Sequence, residues 1–82
     1  MAASRQDIRN WFDRGVKQGS THLIVVCDTF DYDDYPVFIS KDEDVRKKAS
    51  TFNGENMQRV MEVYNLSMDR DAQMNEHRAF NY

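Results

Sequence analysis

Apolar positions change period along the chain, and each change predicts an element. Ile8, Trp11, Phe12 and Val16 recur at three- and four-residue spacing, which places them on one helical face. Arg5, Arg9, Asp13 and Lys17 fall mostly on the other. Ser4 stands as an N-cap with Asp7 three residues on, a shorter variant of the capping box. Gly15 weakens this helix late and Gly19 is a natural left-handed stop, so the pattern predicts a helix over about residues 4–18. The one sustained apolar run follows, Leu23-Ile24-Val25-Val26-Cys27. Read as a strand over about Thr21–Asp28, it puts Leu23, Val25 and Cys27 on one face and His22, Ile24, Val26 and Asp28 on the other. Both faces are apolar in the middle, which calls for cover on both sides. Helices supply one cover, and a partner subunit or a second helix layer the other.

Thr29–Asp34 reads as a loop, and Tyr35-Pro36 enters a second strand running through Val37-Phe38-Ile39 to Ser40. Pro36 belongs at a strand start or on an edge. So short a connection requires an antiparallel hairpin. Ser40-Lys41-Asp42-Glu43 is a full capping box and predicts a helix over about 41–49. Its acids come first and Arg46-Lys47-Lys48 later, the order a helix macrodipole favours. Ser50–Gly54 breaks it. Met57, Val60, Met61 and Tyr64, widened by Val63, form an i, i+3, i+4, i+7 stripe and predict a helix over about 55–65. Ser67 caps a last helix over about 68–79, with Asp69 and Asp71 in its first turn and Arg78 in its last, unless the segment extends the preceding helix. Phe80-Asn81-Tyr82 is apolar for a free tail and either docks back or joins a partner. The expected fold is α+β in the order α-β-β-α-α, with residues 1–82 forming one small domain.

Size and charge narrow the function. An 82-residue chain buries a small core, and its aromatic richness favours further burial by self-association, so a homo-oligomer is expected. The net charge is −3, from 14 acids and 11 bases. That argues against a nucleic-acid binder that works by neutralising phosphates. One cysteine excludes an internal disulfide. No apolar run is long enough for a membrane span and the first residues lack a signal core, so a cytoplasmic protein is expected.

Candidate chemistry is sparse. Cys27 and His22 are five residues apart on one strand and point to opposite faces, so they form no dyad; His77 could approach only if the last helix overlies Cys27. Cys27 therefore reads as a small buried hydrophobe. His22 and His77 lack further ligands at zinc spacing, and Gly15, Gly19 and Gly54 make no phosphate loop. No catalytic set, metal or cofactor is called for. The densest feature is the acidic and aromatic stretch Asp28, Phe30, Asp31, Tyr32, Asp33, Asp34 and Tyr35. Its acids do not match the calcium-loop spacing. Asp28 and Asp31 are one position too far apart for a strand-end Asp-x-Asp phosphotransfer motif, and the chain is too short for that fold. Turn-forming aspartates or a charged, aggregation-blocking hairpin tip explain it structurally. A partner-binding surface explains it functionally, since tyrosines mark interfaces.

The run THLIVVCDTFDYDDYPVFI, with NMQRVMEVYNL after it, resembles small uncharacterised proteins of bacteria and their phages. The resemblance implies an accessory protein that acts by binding. The residues themselves leave three functions to weigh. The first is a non-enzymatic interaction module, a phage or bacterial accessory inhibitor, that binds a basic host protein through residues 28–35; an acidic DNA mimic is its variant. The alternative is an oligomeric protein that binds or sequesters a small molecule such as a nucleotide signal. Aromatics would stack the base, and Arg5, Arg9 and Lys17, or Arg46 to Lys48, would hold phosphate. The third, an enzyme using Cys27 or the aspartates, lacks a group to activate the thiol.

Overall fold

In the computed structural model, which describes residues 4–30, 33–53, 58–76 and 79–82, the LIVVC run becomes β1 (His22–Asp28), the middle strand of a three-stranded sheet. β2 (Asp33–Ile39) and β3 (Gln58–Asn65) flank it, both antiparallel to it, in the order β2-β1-β3. The helices are α1 (Arg5–Lys17), α2 (Val45–Phe52) and α3 (Arg70–Met74). The fold is α+β with an N-terminal helix, an antiparallel hairpin and later helices, as the pattern of the chain predicts. One element differs. Over its described part, the segment expected as a helix over 55–65 is a strand.

The reason lies in a bulge. Val25 pairs with Glu62 but Val26 pairs with Val60, so Met61 is the extra residue. One added residue shifts the two-residue alternation of a strand. Val60 and Val63, three apart, therefore share one face, while Met61 and Tyr64, also three apart, share the other. A bulged strand thus reproduces the three-residue spacing that reads as a helix. The strand wins because β1 is buried from Leu23 to Val26. Its second row of backbone N–H and C=O groups needs a ladder, which a helix cannot supply.

Cover on both faces of β1 comes from the chain's own helices. Leu23, Val25 and Tyr64 pack with Ile8 and Phe12 of α1, Met74 of α3, and Ala79. Phe12 and Tyr64 meet edge to face, with ring centroids 6.4 Å apart at 75°. Ile24, Val26, Ile39, Val60 and Val63 pack under Ala49 of α2, with Val45 and Phe52 beside them. The second layer is therefore α2, and the face that had invited a partner copy is filled.

Local signals set the helix ends. Ser4 and Asp7 exchange both hydrogen bonds of a capping box, and Gly19 ends the turn after α1 at φ +82°. Gly15 does more than weaken α1. An added Cβ there would lie 2.7 Å from Leu66 Cδ1 and 3.2 Å from the Phe38 ring, so glycine sets how closely α1 approaches the sheet. Ser40 and Glu43 do bond, but as a turn. The cap of α2 is Asp44, which accepts from the Arg46 and Lys47 N–H groups. Arg46, Lys47 and Lys48 consequently occupy the first half of α2, where the macrodipole disfavours cations, rather than its last turn. Lys48 reaches back to Glu43 at 3.2 Å.

α3 is five residues long, shorter than expected. It is held to α1 by Arg70, whose Nη1 donates to both carboxylate oxygens of Asp13 at 3.0 Å. The tail docks back: Val63 N–H donates to Ala79 O (2.9 Å) and Asn81 N–H to Val63 O (3.0 Å), a short parallel bridge along the outer edge of β3. Gln73, fully buried, seals the same edge. Its Oε1 accepts from Asn65 N–H (2.8 Å) and Asn81 Nδ2 (3.1 Å), and its Nε2 donates to Asn65 O (2.9 Å) and Asp69 O (3.1 Å). The amide thus pairs Asn65 as a strand backbone would. Gly54, Met57, His77 and Arg78 lie outside the described residues.

Candidate functional site

Two places gather chemistry. The first is the hairpin tip. The β1–β2 ladder stays in register to its last pair, Asp28 opposite Asp33, so the connection is four residues rather than six. Asp28 shapes the turn: its Oδ1 accepts from Phe30 N–H at 2.9 Å, a local side-chain turn of the kind aspartate favours. Phe30 is 71 % exposed, the most exposed large apolar side chain among the described residues. Asp33 and Asp34 lie in β2, with Asp34 opposite Cys27. Tyr35 is half-buried in the layer beneath α2, and its hydroxyl accepts from Gln58 Nε2 at 2.6 Å across β1. Asp31 and Tyr32 lie outside the described residues. The described part of the stretch is therefore divided. Asp28 and Tyr35 brace the tip from within, and Phe30 presents outward.

Cys27 sits between Asp34 and Arg59 across the sheet and is partly exposed. Burial pushes its thiol up, the hydrogen bond and charge of Asp34 and the charge of Asp28 push it further, and Arg59 opposes them. That is the reverse of an activated thiolate. His22 lies on the opposite face, its Nδ1 2.9 Å from Thr21 Oγ1. Desolvation lowers its pKa, and the Tyr82 backbone acts the other way. Among the described residues, no three His, Cys, Asp or Glu side chains converge as a metal-binding group. No described helix is long and apolar enough to cross a membrane.

The second place is a cleft of about 290 Å³ between α2 and the docked tail, lined by Arg46, Ala49, Ser50, Asn53, Val60, Phe80 and Tyr82. Arg46, Ser50 and Asn53 are spaced i, i+4, i+7, so one face of α2 forms a polar wall. Phe80 and Tyr82 alternate on the tail and form an aromatic one. The Arg46 guanidinium lies 4.4 Å from the Tyr82 ring centroid, a cation–π stack. In the sequence, Arg46 stands out as part of a basic run, with Arg46 to Lys48 one of two cation sets expected to hold phosphate, and Tyr82 stands out as part of an apolar tail. Nothing local signals that they meet, because the tail reaches α2 through its bridge to β3. Comparison of the chain with protein-family models, with curated proteins and with solved structures finds no match.

Proposed function

We propose that the chain is a non-enzymatic interaction module that docks a basic partner protein through its hairpin tip, as a phage or bacterial accessory inhibitor would. The exposure of Phe30 carries this reading. A phenylalanine held 71 % exposed on a turn braced by Asp28 is a large apolar group kept in water. Burying it against a partner recovers roughly 1.5–3 kcal/mol, and aromatic anchors of this kind dominate interface energetics. The flanking carboxylates Asp28 and Asp33 favour a partner rich in Lys and Arg, steering its approach. The test replaces Phe30 with the photoreactive p-benzoyl-phenylalanine in the expressing cell. Irradiation yields one discrete protein adduct, whereas the same probe at Val16, exposed at the far end of α1, does not. Identical adduct patterns from both positions refute the reading.

A further inference from the structure

We infer that the cleft between α2 and the C-terminal segment binds a phosphate carried on a flat ring system, the chemistry of a nucleoside monophosphate. This site is separate from the hairpin tip and stands or falls independently of it. Arg46 carries the argument. It sits in the first turn of α2, where the macrodipole disfavours a cation. Lys48, two residues on, is paired with Glu43, but Arg46 meets no carboxylate among the described residues and instead stacks on Tyr82. The stack fixes the plane of the guanidinium and leaves its N–H edge, a planar fork of donors suited to phosphate oxygens, available. No Asp or Glu is among the described residues that line the cleft.

Ser50 and Asn53 add a hydroxyl and an amide on the same wall. A donor-rich wall of this composition suits the three acceptor oxygens of a phosphate better than the two of a carboxylate. Across from it, Phe80 and Tyr82 are each 40 % exposed, and Val60 forms the floor. Aromatic faces beside a cation are the recurrent platform for a nucleobase, because every base has a π-face. The volume, about 290 Å³, lies at the small end of ligand sites, which run from about 300 Å³ upward, so a single nucleotide is the fitting size.

Amide chemical shifts of the full chain, followed during titration with adenosine monophosphate, adenosine or inorganic phosphate, test this. Adenosine monophosphate shifts Ala49, Ser50, Asn53 and Val60 saturably, and either half alone needs concentrations about tenfold higher or more. Arg46→Gln weakens binding by about tenfold or more, as loss of a charge-assisted contact requires. Arg46→Lys weakens it too, since charge without the fork is insufficient. Lys47→Gln, which removes the same charge one residue outside the cleft, leaves binding unchanged. The β1 amides report that each variant is folded. The inference is overturned if these four amides do not shift, if phosphate alone binds as well as the nucleotide, or if Lys47→Gln weakens binding as much as Arg46→Gln.

Discussion

Replacing Gln73 by methionine keeps nearly the same shape and removes four hydrogen bonds. Those bonds end on Asn65 N–H, Asn65 O, Asp69 O and the Asn81 amide. Asp69 is exposed and Asn81 partly so, and water can serve them. The Asn65 pair lies at the sheet edge that Gln73 itself covers. Leaving a buried backbone group unpaired costs about 1–3 kcal/mol. Two such groups, less the small gain from burying a thioether, give a loss of about 2–4 kcal/mol. A domain of this size has a total stability of about 4–12 kcal/mol, so the loss is a large share. Urea unfolding followed by the fluorescence of Trp11, the single tryptophan, measures it, with faster hydrogen exchange at Asn65 and Asn81 as the local sign. A loss below about 0.5 kcal/mol, the range of ordinary surface substitutions, would refute the claim that this amide completes the β3 edge. Gln73→Glu sharpens the test. Its carboxylate faces the Asn65 and Asp69 carbonyl oxygens, so the folded state holds the proton more tightly than the unfolded state, whose value is about 4.3. A folded pKa raised in this way means the variant's deficit shrinks below that value and grows as pH rises through the folded one.

Three further outcomes are expected. Gly15→Val forces two methyl groups toward Leu66 and Phe38, where even a Cβ lies 2.7 Å and 3.2 Å from them; overpacking of that kind lowers stability by about 2 kcal/mol, read as a fall in Tm of about 8–16 °C. Burial, and then the Glu62 hydrogen bond, push the Tyr64 phenol well above its ordinary range. Its contribution to stability is whole below the unfolded value near 10 and lost as pH rises beyond it, so phenolate absorbance shows one tyrosine ionising only as the chain unfolds, and Tyr64→Phe removes that step. Burial depresses the His22 pKa, so stability is full above about 6.5 and falls as pH drops below it; His22→Gln flattens that acid-side slope in urea titrations between pH 7 and 5.

Local rules made the first half of the fold legible. The apolar stripe and cap of α1, the Gly19 stop and the two-faced LIVVC strand each state their structure within a few residues. The Pro36 strand does sit at a sheet edge. The second half was obscured by features that only tertiary pairing creates. The Met61 bulge gives β3 a helix-like spacing. The cap of α2 is Asp44, one turn after the Ser40–Glu43 box that the sequence points to, and the packing of Val45, Ala49 and Phe52 in the layer under α2 favours the later start. Gln73 lies in a polar segment whose pattern gives no sign that one amide is buried, because its partners are the backbone of a strand eight residues earlier. At the tip, the stretch 28–35 stood out by composition alone. Which side chains brace it and which face outward depends on the Asp28–Asp33 register and on Gln58 reaching across β1.

The central functional claim is that Phe30 and its flanking acids dock a protein. Quantitative affinity capture from an extract of the expressing cell tests it directly, with wild type and Phe30→Ser compared at matched protein concentration. Phe30 is mostly exposed, so the variant keeps the wild-type unfolding free energy within about 0.5 kcal/mol. One protein with a basic surface is expected, enriched on the wild type about tenfold or more over Phe30→Ser, the loss that truncating an interface anchor produces, and released by moderate salt. Equal capture by the two forms would contradict it.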